Sequence, residues 1–189
     1  CPLILGHTWA AGCTQDLQKR RLSFLLSQNP GVVVFVANFH QYVNKEEFRN
    51  ESLVTTLEQI SSHHDLILVY PIPEVPIHLP KFLYAKLRTD LRSERSRNFL
   101  RDTPYFISQK QFFAQAKRTV DIFDGLKNSN IHRVYPHTIF CAPGDSTNSV
   151  CKTHSDNELY YADQTHPSPL GADMINSRII KVIEQITAK

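Results

Sequence analysis

No apolar run in this 189-residue chain reaches the ~18 residues that a membrane-crossing helix needs. The longest, VVVFVA (32–37) and LILVY (66–70), are the size of single strands. Metal-binding spacings are missing as well. The nine histidines show neither H-x-x-x-H nor H-E-x-x-H, and the four cysteines show no C-x2-C pair, so no metal site is expected. Nor does the charge point to a polyanion, since 21 Lys and Arg face 18 Asp and Glu for a formal net charge of +3. The densest basic stretch, KLRTDLRSERSRNFLR (86–101), is interleaved with acids and lacks an aromatic ladder. It suits a solvated face better than a nucleic-acid groove. Repeats and low-complexity tracts are absent. With 41% hydrophobic and 21% charged residues, the chain has the make-up of one globular domain with a single core.

What is present begins with the order of the cysteines. Cys1 and Cys13 lie close in sequence, as do Cys141 and Cys151, and each pair encloses a short loop containing Gly and Pro. Two disulfides, Cys1–Cys13 and Cys141–Cys151, are the expected arrangement and imply an oxidising compartment; four unpaired buried thiols are the alternative. Between these loops, helical and strand patterns alternate. TQDLQKRRLSFLLSQ (14–28) sets Leu17, Leu22, Leu25 and Leu26 largely on one side and predicts a helix, which Asn29-Pro30-Gly31 ends. GVVVFVANF (31–39) is a β-branched run suited to a strand buried on both faces. A helix over 45–62, a strand over 64–76, a helix over 108–128 and a strand over 131–141 weakened by Pro136 follow. Residues 168–189 close the chain as a helix, with Ile175, Ile179, Val182, Ile183 and Ile186 on one stripe, while 77–106 read as irregular. The alternation predicts a three-layer α/β/α domain with a mostly parallel, doubly wound, flavodoxin-like sheet. Functional groups in such sheets gather at the carboxyl ends of strands.

Two stretches are candidates for that position: ANFHQY (37–42) and the turn ADQTHPSPLGA (162–172). In the second, Asp163 precedes His166 by three residues, just ahead of the last helix. A carboxylate that accepts from an imidazole fixes the ring's tautomer and orientation, as a general base requires. The plainer reading has Asp163 capping a turn before Pro167 and His166 on the surface. His40 also lies near a strand end, where surface placement accounts for it equally well, and Glu74 reads first as a solvated loop acid that could line the site.

Taken in order, CPLILG, VVVFVANFHQY, LILVYPIPEVP and CKTHSDNELYYADQTHPSPLGA resemble the SGNH hydrolases. More narrowly, they resemble the extracytoplasmic SGNH domain appended to acyltransferase-3-type membrane proteins of bacteria, which move acyl groups onto envelope sugars. The resemblance implies that His166 takes the proton of a serine hydroxyl while Asp163 holds the ring. It carries the family's oxyanion-hole Asn onto Asn38, although the family's G-x-N-D reads Val36-Ala37-Asn38-Phe39 here. An Asn ending a strand at a turn is the other reading of Asn38. Gly6 matches the oxyanion Gly or is a plain turn Gly.

The family's nucleophile lies in a Gly-Asp-Ser block after the first strand. Gly144-Asp145-Ser146 follows Asn38, against the family's chain order, and lacks the entering strand and leaving helix of a nucleophile elbow. It reads as a decoy turn. The expectation is a single SGNH-type domain over 1–189 whose first strand and Ser lie upstream of Cys1. The implied function is the acyl-transferring part of an envelope O-acyltransferase that needs no cofactor. An acyl group would pass from a membrane domain upstream in the same polypeptide to the Ser. From there it would reach a hydroxyl of lipopolysaccharide O-antigen, peptidoglycan or a related glycan, at the periplasmic face of the inner membrane. A secreted esterase or lipase of the same fold and a non-catalytic carbohydrate-binding remnant are the alternatives.

Overall fold

A strand made of Leu66, Ile67, Leu68 and Val69 is stable only with both of its faces covered. In the computed structural model, which describes residues 2–7, 12–90, 99–103, 105–142 and 149–188, these residues form the middle strand of a parallel sheet. In chain order the elements are α1 (Gln15–Leu26), β1 (Val32–Phe35), α2 (His40–Val43), α3 (Asn50–Ser61), β2 (Asp65–Val69), α4 (Leu79–Asp90) and α5 (Phe99–Asp102). They continue as β3 (Phe106–Ser108), α6 (Gln109–Gly125), β4 (Ile131–Val134), α7 (His137–Phe140), β5 (Val150–Lys152) and α8 (Pro169–Thr187). The chain divides into two compact units: Cys1–Pro71 with Ala116–Val134 and Lys181–Lys189, and Ile72–Gln115 with Tyr135–Ile180.

The first unit holds the parallel sheet in the order β1-β2-β4, with Val33 opposite Leu66 and Leu66 opposite Ile131. Leu66 and Leu68 join a core with Leu22 of α1, Leu53, Leu57 and Ile60 of α3, and Phe123 of α6. Ile67 and Val69, which alternate with them, are buried too, so β2 is covered on both faces as its composition requires. β1 differs from expectation. It has one described neighbour, and Val34 and Val36 are 39% and 63% exposed, because a β-branched run does not reveal whether a second strand flanks it. The amphipathic reading of α1 holds, with Leu22 buried and Thr14 capping the helix by accepting from the Leu17 N–H at 3.2 Å. Pattern reasoning overlooked Gln18, which is fully buried and donates from Nε2 to the Pro2 carbonyl at 2.9 Å.

The second unit corrects the expectation of irregular chain over 77–106. Leu79 and Leu83, four residues apart, are buried on one side of α4, and Pro80 falls in its first turn, where a missing N–H costs nothing. β3 and β5 pair antiparallel, Ile107 opposite Cys151. The strand expected over 131–141 stops at Val134; Pro136 turns the chain into α7 instead. On α8, Ile175 is buried and the expected stripe continues through half-covered Ile179, Val182, Ile183 and Ile186, while Ile180 faces solvent.

Cys141 and Cys151 are joined in a disulfide. Cys13 is also disulfide-bonded, and Cys1, its expected partner, lies outside the described residues. Denatured, unreduced protein should therefore release no thiol to a labelling reagent. Reduction should lower stability by about 2–3 kcal/mol for the Cys141–Cys151 loop alone. Four reactive thiols in protein made in an oxidising compartment would contradict the pairing.

Candidate active site

Residues 161–167 form a closed turn in the second unit. Tyr161 and Pro167 face each other in an antiparallel bridge, and the Ala162 N–H donates to the His166 carbonyl at 2.9 Å. Across the turn, Asp163 is the organising acceptor. Its Oδ1 takes the backbone N–H groups of Thr165 and His166, both at 2.8 Å, an arrangement that Asp forms readily at turns. Its Oδ2 lies 2.8 Å from Nδ1 of the His166 ring.

These bonds settle the electrostatics of the pair. The N–H groups of Thr165 and His166, followed by the bond to the His166 ring, hold the Asp163 carboxyl well below the usual carboxylate range. An ionised carboxylate can only accept, so Nδ1 of His166 carries the proton and donates it to Asp163. In the neutral ring Nε2 then carries the lone pair, and among the described residues no hydrogen bond occupies it. The His166 side chain is 75% exposed and that of Asp163 38%, so the ring is largely open to solvent. The arrangement can accept a proton from a hydroxyl brought to Nε2 and return it later. The plain-turn reading explains the backbone bonds to Asp163, but it does not require the ring to be seated on Oδ2.

The turn's tip is tied down by a contact that the sequence did not announce. The Val75 N–H donates to the Gln164 carbonyl at 2.9 Å, and Gln164 Nε2 reaches the Pro76 carbonyl at 3.3 Å. Glu74 adjoins that tie. Tyr161, at the turn's base, is 1% exposed, and burial pushes its phenol pKa up.

The other expected site residues belong to the first unit. Asn38 follows β1 and is half-buried. The next residue, where the G-x-N-D pattern places Asp, is Phe39, fully buried with its ring 5.2 Å from Phe35 and 5.3 Å from Phe123. That position serves the core. His40 opens α2 and is half-covered. Gly6 has a φ of 76°, and a Cβ there would lie 3.1 Å from Ser52 Oγ, so a left-handed turn accounts for glycine at this position. Gly144, Asp145 and Ser146 lie outside the described residues. No three His, Cys, Asp or Glu side chains among the described residues converge as a metal ion requires.

A second Asp–His pair differs in kind. Asp65 Oδ1 meets His132 Nε2 at 2.8 Å across β2 and β4, where His132 stands opposite Ile67. There the carboxylate engages Nε2 of a ring on the neighbouring strand, a hydrogen bond that ties β2 to β4.

A family model described as "SGNH domain (fused to AT3 domains)" matches residues 1–181. Among solved structures, the periplasmic domain of a lipopolysaccharide acetyltransferase from Salmonella ser. Paratyphi A superposes with a TM-score of 0.66 at 16% identity. The match covers 96% of this chain and 68% of that one and shows a shared α/β fold. No curated protein sequence matches the chain significantly.

Because the folded Asp163 carboxyl titrates below its unfolded value of about 3.9, its stabilisation is complete above roughly pH 4 and is lost as pH falls below that. Asp163→Asn should lower stability by about 1 kcal/mol at neutral pH, and the gap in thermal midpoint should close below pH 4. A gap that persists unchanged into that acid range would show that the carboxylate charge is not what organises the turn.

Proposed function

We propose that this chain, which belongs to the SGNH domains found fused to AT3 domains, is the acyl-transferring part of a bacterial envelope O-acyltransferase. The observation that carries the reading is the His166 ring seated on Asp163 through Nδ1, largely exposed and with Nε2 free of described bonds. In the proposed reaction, Nε2 takes the proton of a serine hydroxyl as its Oγ attacks the acyl carbonyl. The tetrahedral intermediate collapses, the donor's leaving group departs with that proton, and an acyl-serine remains. A sugar hydroxyl then repeats the cycle: its proton goes to Nε2, its oxygen takes the acyl group, and the serine recovers its hydrogen. Asp163 stays ionised throughout and stabilises the imidazolium that forms in each half-reaction. Asn38, whose side-chain amide can donate to the intermediate's oxyanion, is the proposed oxyanion residue, with Gly6 as a backbone candidate.

The serine is proposed to come from a strand and turn upstream of this chain, completing one domain. β1 supports this: among the described residues it pairs with β2 alone, so its other edge can take a further parallel strand. The acceptor is proposed to be a glycan of the envelope, lipopolysaccharide O-antigen or peptidoglycan, and the acyl donor a membrane domain of the same polypeptide. A periplasmic setting agrees with the Cys141–Cys151 disulfide.

The test is turnover of a small activated acyl ester. The 189-residue chain alone should show no rate above its own His166→Ala variant, and extension to include the upstream serine block should restore turnover. In the extended domain His166→Ala should lose roughly three or more orders of magnitude, while His132→Ala, in the sheet pair, should stay within a few-fold of wild type. Near-normal activity in His166→Ala would overturn the reading. Activity in the short chain that Ser146→Ala abolishes would move the nucleophile to Gly144-Asp145-Ser146.

A further inference from the structure

The Asp163–His166 pair is solvent-facing, and besides the bonds within the turn and the tie of its tip to Val75 and Pro76, its geometry depends on how the two legs meet at the neck of the turn. We infer that Ser168 and Gly171 are the residues that impose it, as positioning residues for the His166 ring. The inference rests on the proposed role of the pair as the acid–base unit.

Ser168 is 9% exposed and its hydroxyl is used in both directions. Oγ donates to the Leu159 carbonyl at 2.6 Å and accepts from the Gly171 N–H at 3.1 Å. The second bond is an N-cap of α8, three residues into a helix that opens with Pro169. The first bond reaches the chain that enters the turn. One hydroxyl thereby joins the entering leg at Leu159 to the helix-side leg at Gly171. The Ser168 N–H adds a third link, donating to the Tyr160 carbonyl at 2.9 Å.

Gly171 makes the approach of the two legs possible. A Cβ at this position would overlap the Tyr160 carbonyl oxygen, and would lie 3.1 Å from that carbonyl's carbon and 3.3 Å from Pro167 Cβ. These are backbone and ring atoms, with no flexible side chain to give way. Any larger residue must push α8 away from Tyr160, and Pro167, next to His166, moves with it. The Tyr161–Pro167 bridge and the bond from Ala162 to the His166 carbonyl transmit that displacement to the residue whose Nδ1 must stay 2.8 Å from Asp163. A misplacement of about 1 Å in such a geometry costs on the order of 10²-fold in rate.

Neither residue touches the reacting atoms, so the test must read the imidazole itself. Long-range proton–nitrogen correlation spectra at about pH 8, above the ordinary imidazole range, report which ring nitrogen carries the proton. Wild type and Ser168→Thr, which keeps the hydroxyl, should show His166 protonated on Nδ1. Ser168→Ala and Gly171→Ala should shift it toward the Nε2–H form expected of Asp163→Asn, with the signal of His154, which contacts the Ser155 and Thr103 carbonyls in the same unit, unmoved as a measure of intact fold. In the domain extended to carry its serine, Gly171→Ala should lower kcat by about 10²-fold with little change in KM. If Gly171→Ala fails to fold, Ser168→Ala carries the decision. A His166 tautomer unchanged in folded Ser168→Ala or Gly171→Ala would overturn the inference. No change in Asp163→Asn would overturn the underlying pair instead, and separates the two failures.

Discussion

Everything proposed for this protein hangs on one carboxylate. Asp163 accepts two backbone N–H groups on one oxygen and an imidazole N–H on the other, so a single ionised group both folds the turn and selects the tautomer of His166. The two functions are coupled. The backbone bonds keep the carboxyl ionised, and only the ionised form compels Nδ1 to be the donor. On the proposed mechanism, a base presented this way is oriented before substrate arrives, which would remove an ordering cost from the reaction. Because the pair faces water, the attraction between imidazolium and carboxylate is screened, and its worth to catalysis lies in orientation more than in raw Coulomb energy.

The contrast with Asp65 and His132 shows that residue type alone does not make a site. Both pairs are separated by 2.8 Å. In the sheet, the ring is engaged through Nε2 by a carboxylate on the neighbouring strand. At the turn, the carboxylate takes the ring from the Nδ1 side, and Nε2 is left without a described bond.

Much of this was legible in the sequence, for reasons that can be named. Strand β2 declared itself because four successive aliphatic residues tolerate only a doubly covered position. The D-x-x-H turn declared itself because its two groups are three residues apart, and local geometry survives without knowledge of the rest of the fold. What escaped depends on contacts distant in sequence or on neighbours that a pattern cannot count. β1 has the composition of a central strand yet stands at a described edge, with Val34 outward. Helix α4 was hidden by Pro80 and by a run of arginines, although Leu79 and Leu83 carried its period. Ser168 and Gly171 sit in a Ser-x-x-Gly spacing too common to signal anything; only the backbone shows glycine pressed on the Tyr160 carbonyl. Phe39 is the reverse case. The departure from G-x-N-D was visible at once, but its cause, a ring packed between Phe35 and Phe123, needed the fold.

The central claim is that the Asp163–His166 pair activates a serine lying outside this chain. Treating the parent polypeptide with a serine-directed phosphonate probe and mapping the adduct by peptide mass spectrometry tests it most directly. The account predicts a single adduct on a serine upstream of Cys1, formed rapidly in wild type and in His132→Ala and nearly lost in His166→Ala. An adduct on Ser146 or another serine within these 189 residues, or equal labelling with and without His166, would contradict it.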